Sequence, residues 1–575
     1  MWYVTNLKIE DQNNEFRYLL FDEFVFATDQ DLFDSDKNDI WLHDGYVLCK
    51  NGVNQKYFSL PEEQLPGALL KEFGHDFTNH LKGNFVLVQI QPKGFRIYSD
   101  HFGVKKFFFW QDENKFIISN DLKTISKLVR LKPSSLGMSV YALTYHFTGG
   151  LTAFENVCHN QPAECVYLED GILRSKKYWC PEDLFEIERK QISMKEISAN
   201  LKNATMSTLN ESDPISLSLT GGADTRNLLS IFLSMGIEPH LYTYGNPHSN
   251  DCVKATAIAK ELGLQHQIYD IQMTADSFET KARKIIRHSG GLASIHRVHR
   301  FLAVERESRF AKQMYLGTLG GEFIKGVSED DYIVPAIVYE NWDKTLSIAS
   351  GLEKYLDTKR IVGNENIKED LLSYFGTESF VNGPEVNRKL NALSFITAHL
   401  HDAQDVNLYG SAMNKVYTPF LDIDYLETLF ASEYTFNNKE KIQNPILKRI
   451  QNPVYGSCFI QATYPQLLKF KYAGEHKPAE VCFNKYIAAL LKGLRQKIEG
   501  SYPPNFPLDT WMVDFVRKNL PLCKDYSNAC QVFDIDRLMN DFQSEIHGAN
   551  EAYWLKYTNP IMMRFIIEEF GYEQA

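Results

Sequence analysis

The sequence predicts an α/β protein built as two unlike domains. Residues 1–180 read as a layered, β-rich unit, 181–196 as a linker, and 197–575 as a doubly wound parallel sheet with extra helices. Three observations carry this. Short strand-like runs punctuated by Gly, Asp, Asn and Pro fill the first part. From Ile215 onward, strands alternate with helical stretches. The first of those strands ends in a Gly-Gly turn that opens a helix. A chain of 575 residues also exceeds what one core can hold, so two or three domains are expected.

In chain order, the N-terminal strands are expected at Tyr18 to Leu20, Tyr46 to Cys49, Asn84 to Ile90, Phe95 to Tyr98, Lys105 to Trp110 and Lys115 to Ser119. The run Phe85-Val86-Leu87-Val88-Gln89-Ile90 alternates poorly, which suits a strand covered on both faces. Pro181 to Glu196 is polar and charged. Helical periodicity resumes at Ile197 to Leu209.

Strands are then expected at Ile215 to Leu219, Leu241 to Tyr244, His266 to Tyr269 and Gln313 to Leu316, with helices at Val253 to Leu262 and Phe278 to Ile286. In such sheets ligands bind beyond the carboxyl ends of the strands. From about residue 335 the pattern is mostly helical, with loops at Pro453 to Ser457 and Tyr502 to Pro507.

Composition excludes several classes. Hydrophobic residues make up 44% and aromatic residues 13% of the chain, too much for a disordered protein. A net charge of −12 and the lack of a basic stripe argue against nucleic acid as partner. Nine cysteines, an odd total without a CxxC pair, read as reduced packed thiols. The opening MWYVTNLKIEDQ lacks the pattern of a signal peptide and no apolar run reaches membrane-spanning length, so a soluble cytoplasmic protein is expected.

The chemistry centres on Ile215 to Gly236. A strand, a Gly221-Gly222 turn and a helix start aim backbone N–H groups and a helix dipole at an anion. By itself the turn also fits a plain left-handed turn with Asp224 as helix cap.

A family resemblance runs along the chain. Gly83-Asn84-Phe85, Ser99 to Phe109, Phe116 to Lys123, Leu131-Lys132-Pro133, Gly149 to Val157 and Lys177-Tyr178-Trp179 resemble the glutaminase domain of asparagine synthetase-type amidotransferases. The resemblance implies an Ntn-type α/β/β/α layering for residues 1–180. That family hydrolyses glutamine with an N-terminal cysteine whose α-amine is the base. Here position 2 is Trp2, the nearest cysteine is Cys49, and Thr5 would need a cleavage that nothing supports. A non-catalytic packing domain is therefore expected.

Thr220-Gly221-Gly222-Ala223-Asp224-Thr225 is similar to the Ser-Gly-Gly-x-Asp-Ser loop of the ATP pyrophosphatase superfamily, with both hydroxyls kept. The resemblance implies ATP and Mg²⁺ as cofactors. Ser218, Thr220, Gly221, Gly222, Asp224, Thr225 and Arg226 would lie at the phosphates, with Asp224 holding the metal. Tyr242-Thr243-Tyr244-Gly245 and Ser249-Asn250-Asp251 match the segment whose strand touches adenine, which assigns Tyr244 and Gly245 to the cofactor.

Gly317 to Gly326 looks like the family's second phosphate element, and Gly320 is carried over to the cofactor. Thr318 replaces a catalytic Glu and Gly321 a metal-binding Asp. Glu322 is the remaining carboxylate, a candidate for both metal and catalysis. Lys325 is either a surface lysine or a new phosphate contact. Tyr417 to Asp422 resembles a closing segment with no catalytic role. Lys471 stands where related enzymes place a lysine near the adenylate, although an exposed helix lysine is the plain reading. His296-Arg297-Val298-His299-Arg300 makes a poor metal site. It fits an anion contact or a solvated helix face.

The implied reaction is adenylation of a carboxylate and its coupling to an amine. Without an N-terminal cysteine the chain resembles β-lactam synthetases and lasso-peptide cyclases most. The implied substrate is a small-molecule or peptide carboxylate, with a precursor peptide and a homodimer left open as partners. Two alternatives stand beside it: amidation with free ammonia, and a non-catalytic ATP-binding regulator.

Overall fold

The computed structural model describes residues 1–8, 16–21, 23–36, 39–147, 149–181, 183–325, 403–435, 451–498, 502–506, 508–526, 532–544 and 551–571, and structural statements concern these. Lys325 has a described backbone only.

The N-terminal part holds two six-stranded antiparallel sheets. One runs in the order Val157–His159, Phe108–Asp112, Lys115–Ser119, Trp2–Thr5, Val25–Thr28, Arg17–Leu20. The other runs Ile172–Lys177, Glu164–Glu169, Gly94–Ser99, Leu81–Gln91, Asp39–Cys49, Phe33–Asp36. They pack face to face, with Trp2, Val4, Phe26 and Ile118 of the first meeting Val86, Val88 and Ile97 of the second.

The run Phe85 to Ile90 is buried throughout, as its weak alternation implies. Val86, Val88 and Ile90 face the other sheet, while Phe85 and Leu87 face helix Leu65–Phe73. Helices Leu122–Leu128 and Ser135–Thr144 cover the outer face of the first sheet, through Ile125, Met138 and Tyr141 against Phe108 and Ile117. The layers are therefore helix, sheet, sheet, helix. The strand expected from Lys105 forms only at Phe108–Asp112.

Buried histidines make this half sensitive to acid. Burial lowers His101 to about 3. His159 also falls to about 3, through burial and then the Lys106 charge. Both rings fold neutral, so the stability they contribute is present above their ordinary value of 6.5 and is lost as pH falls. Asp100 works the other way, because burial raises it to about 6 and protonation then favours the fold. Each ring should cost about 1.4 kcal/mol per pH unit below that value, a loss that Asp100 and the likewise burial-raised Glu62 and Glu164 offset in part. The melting temperature is expected to fall between about pH 7 and pH 5, more shallowly in His159→Gln. A flat melting temperature over that range would contradict the buried neutral rings.

The stretch expected as a linker is anchored. It contains helix Asp183–Glu186, whose Leu184 and Phe185 are buried, with Phe185 edge-on to Phe430. Ser193 then caps helix Met194–Met206.

The second sheet system has five parallel strands, β1 (Ile215–Ser218), β2 (His240–Tyr244), β3 (His266–Tyr269), β4 (Gln313–Tyr315) and β5 (Lys415–Tyr417). Their order is β3-β2-β1-β4-β5. Helix α1 (Asp224–Ser234) follows β1 and α2 (Asn250–Leu262) follows β2, while α3 (Ala275–Ser289) and α4 (Val298–Glu307) lie between β3 and β4. The direction of winding reverses between β1 and β4, the place where open α/β sheets hold ligands. Strand β5 is not among the expected elements, since three residues show no periodicity.

Helix α5 (Gln451–Thr463) runs through the expected loop at Pro453 to Ser457. Pro453 lies in its first turn, where the missing N–H costs nothing.

One hydrophobic core runs from Phe108 and Tyr141 through Leu217, Leu228 and Met314 to Phe565, so the two halves share their packing. Lys82 crosses between them to Asp422 and Asp424 at 2.9 and 2.8 Å. Thr418 donates to Asn84 at 2.8 Å.

Candidate active site

Two glycine turns meet at the reversal point. Helix α1 starts at Asp224 with Ala223 as its N-cap residue and no side-chain cap. Its positive end therefore lies just beyond β1. Gly221 and Gly222 have ordinary negative-φ backbones, so the plain left-handed turn does not occur and Asp224 is the first helical residue rather than the cap.

What Gly221 provides is close approach. A Cβ there would lie 2.9 Å from the Ala473 Cβ and 3.2 Å from Asp251 Oδ1. From the β4 side, a Cβ on Gly317 would meet Thr225 Cγ2 at 2.8 Å, and one on Gly320 would meet the Asp224 Cβ at 2.9 Å. Asp224, Thr225 and Gly320 are thus brought together across about a hundred residues of sequence.

The first loop is laced by its own groups. The Gly221 N–H donates to Asp251 Oδ1 at 2.9 Å, and the Gly222 N–H to Thr220 Oγ1 at 3.1 Å. The Thr220 N–H donates to Thr225 Oγ1 at 3.3 Å, and the two hydroxyls lie 3.4 Å apart. Ser218 ends β1, half-buried, in register with Tyr242.

Asp251 also accepts from Asn505 Nδ2 at 2.9 Å, while the Asn505 carbonyl accepts the Asn246 N–H at 2.7 Å. Gly245, at φ +123°, admits that carbonyl, which a Cβ would approach to 2.8 Å. Phe506 stacks on Tyr244 at 6.0 Å and 17° and lies 4.1 Å from His299. Asn505 and Phe506 therefore border the expected adenine strand. No motif marks them, and they lie some 250 residues downstream of it.

Two expected contacts change role. Arg226 is fully buried and donates to the carbonyls of Phe470 and Lys471 at 2.9 and 3.0 Å, with Tyr472 beneath its guanidinium at 4.5 Å. Burial lowers its pKa to about 10. It braces the 470–472 segment rather than adding charge for phosphate. Lys471 is neither helical nor fully exposed. It follows the short helix Pro465–Lys469, half-buried, and its Nζ lies 3.6 Å from Glu475. Two residues on, the Ala473 N–H donates to the Gly221 carbonyl at 2.7 Å, which sets this segment against the loop.

Glu322 opens the short helix Glu322–Lys325 and accepts the Gly321 N–H at 3.2 Å. Among the described residues no group of three His, Cys, Asp or Glu side chains is placed to hold a metal. The His296 to Arg300 stretch is not a solvated face. His296 and His299 are buried, and Arg297 and Arg300 lie 3.3 and 3.6 Å from the buried Asp405. The anion they meet is the chain's own carboxylate.

Gly221→Ala is expected to cost about 1–3 kcal/mol, because the added methyl meets backbone-anchored atoms of Ala473. Gly222→Ala meets only the Thr220 hydroxyl, at 3.2 Å, and should cost less than half as much. Urea denaturation of the two variants checks this, and equal losses would contradict the close approach at Gly221.

No protein-family model matches this chain, and no curated protein matches it. Among solved structures it is similar to one described as the allosteric regulatory enzyme of purine biosynthesis, at 10% identity over 45% of this chain and 56% of that one, with a TM-score of 0.20. It is also similar to a glutamine phosphoribosylpyrophosphate amidotransferase from B. subtilis complexed with ADP and GMP, at 10% identity over 54% and 63%, with a TM-score of 0.19. The chain spans less than two thirds of the length of each. Among the described residues no helix is long and apolar enough to cross a membrane.

Proposed function

We propose that this chain is an AMP-forming carbon–nitrogen ligase that adenylates a carboxylate and couples it to an amine held beside it, without hydrolysing glutamine. The observation that carries the reading is the meeting of the Gly221-Gly222 and Gly317–Gly320 turns around Asp224, at the uncapped start of α1.

The residues suit the groups the reaction needs. The Gly221 N–H already donates to an anionic oxygen, the chemistry a phosphate offers. Mg²⁺ characteristically takes one or two carboxylates together with substrate phosphates, which Asp224 with Glu322 can supply. ATP, when bound, would supply the adenylyl group, with pyrophosphate as the leaving group. Lys471, beside the loop, would offset negative charge developing on the phosphate and on the tetrahedral intermediate, and the wall formed by Arg226 and Tyr472 keeps that segment in place.

Two features support the absence of glutamine hydrolysis. The Trp2 indole fills the space between the sheets. Cys49 packs on the far side of the second sheet, where burial raises its pKa to about 11, which makes a poor thiolate.

ATP–pyrophosphate exchange across a panel of carboxylates, including amino acids and peptides, tests the proposal. Exchange that depends on one of them supports it. Pyrophosphate release with aspartate and ammonium salts would favour amidation by free ammonia. A second reading, an ATP-binding regulator, draws on Gly321 and on the engagement of Glu322 with the backbone. It requires ATP binding with no exchange for any carboxylate.

A further inference from the structure

Two thiols lie against each other beside the candidate site. Cys458 sits on α5 and Cys482 on helix α6 (Pro478–Phe483). The two helices pack together, α5 held in the core by Tyr455, Phe459 and Ile460, and α6 by the buried Val481. Between the helices Cys482 and Cys458 share a hydrogen bond, and the Tyr434 hydroxyl reaches Cys458 as well. Both cysteines are half-buried and neither is in a disulfide. Helix α6 ends at the exposed Phe483, which leaves the pair open to a small oxidant.

The pair is chemically unequal. The hydrogen bond from Cys482 holds Cys458 below the ordinary thiol range, against burial and the Glu433 charge, with Tyr434 as a second donor. The same bond, and then burial, raises Cys482. Cys458 is therefore the thiolate, and Cys482 a protonated thiol next to it, the arrangement of a peroxide-reactive cysteine with its resolving partner. Cys49, Cys158, Cys165 and Cys252 are instead raised by burial, which keeps them protonated and inert.

The chain between the two, residues 459–481, carries the segment set against the first glycine turn. Arg226 holds its Phe470 and Lys471 carbonyls, and the Ala473 N–H donates to the Gly221 carbonyl at 2.7 Å. The Ala473 carbonyl in turn accepts from Asn250 Nδ2 at 2.9 Å. Helix α5 abuts the same turn, since a Cβ on Gly456 would lie 3.0 Å from the Ala223 Cβ. A bond from Cys458 to Cys482 closes this segment into a ring at its base.

We infer that Cys458 and Cys482 form a reversible dithiol–disulfide couple, oxidised by hydroperoxide, whose disulfide tethers the Lys471-bearing segment to α5. The Cys458 thiolate attacks one peroxide oxygen and the O–O bond breaks. Hydroxide leaves and takes up a proton as water, and a sulfenic acid remains on Cys458. The Cys482 sulfur then attacks that sulfur and gives up its proton, and the S–O bond breaks to release a second water. Two thiols are thereby oxidised and one peroxide is reduced to water. A dithiol reductant restores both thiols by exchange and is itself oxidised to its disulfide. The couple stands apart from the ligase reading, and its test needs no substrate.

The reduced full chain, treated with a few equivalents of hydrogen peroxide, should lose about 2 Da, the mass of two hydrogens. Peptide mass spectrometry should place the bond between Cys458 and Cys482, and dithiothreitol should reverse it. Cys482→Ser should instead gain about 16 Da at Cys458, captured by dimedone, because no thiol is left to resolve the sulfenic acid. Cys458→Ser should react at least about tenfold more slowly than the wild type. Amide hydrogen exchange over residues 464–477 should slow by about tenfold or more in the oxidised wild type. A disulfide formed elsewhere or between chains overturns the inference. So does oxidation of Cys458 beyond the sulfenic acid with Cys482 left as a thiol. Unchanged amide exchange in a chain that carries the disulfide overturns the tether.

Discussion

Asp224→Asn is expected to lower ATP–pyrophosphate exchange with the true carboxylate by about two to three orders of magnitude. The reason lies in its position. Asp224 begins α1, with Gly320 packed on its Cβ, so it sits where the β1 and β4 turns converge. A carboxylate there can draw a divalent cation onto phosphates held at the helix start. Asn keeps the size and removes the charge, so the fold should change by less than about 1 kcal/mol, the scale of a helix-dipole contact. Glu322→Gln is expected to have the smaller effect, because Glu322 also serves the Gly321 N–H. Exchange that persists at the wild-type rate in Asp224→Asn would remove Asp224 as the metal ligand.

The second large effect concerns the joint between the two halves. Lys82→Met is expected to destabilise the protein by about 3–5 kcal/mol. Lys82 is 4% exposed, and its partners Asp422 and Asp424 are 9% and 8% exposed. Burial works against the Lys82 charge, but the two carboxylates outweigh it and raise its pKa, while burial pushes Asp422 up. Removing the ammonium leaves two buried carboxylates facing each other.

The triple change Lys82→Met, Asp422→Asn, Asp424→Asn should recover most of the loss, because Asn can keep the cap that Asp422 gives to the N–H groups of Asp424 and Tyr425. Urea titrations followed by tryptophan fluorescence and by far-UV circular dichroism check both. Because the halves share one core, the two signals should move together in Lys82→Met. A change under 1 kcal/mol would show that the charges find other partners.

Both effects depend on groups that meet only in the folded chain, and this divides what could be read beforehand from what could not. Strands at Lys115–Ser119 and His266–Tyr269 were legible because a few apolar or β-branched residues between turn signals specify them. Helices α1 to α3 were legible from periodicity, although α2 and α3 begin three residues earlier than expected, after the caps Ser249 and Thr274. The burial of Phe85 to Ile90 on both faces followed from its lack of alternation. Strand β5 and the helical 453–457 stretch were not legible. Three residues carry no period, and a proline in a first turn reads like a loop proline.

The candidate site divides in the same way. The amino-acid sequence alone determined the strand, glycine turn and helix, and hence that a glycine turn at Thr220 to Asp224 opens α1, because propensity and turn chemistry act over a few neighbouring residues. Only the tertiary structure decided that Arg226 is a buried brace, that Asp251 holds the Gly221 N–H, that Asn505 and Phe506 border the strand ending at Tyr244, and that Asp405 receives Arg297 and Arg300. Each of those roles is set by desolvation and by partners far away in the chain. A side chain's charge and hydrogen-bonding capacity are fixed by its type, but the group that uses them is chosen by packing.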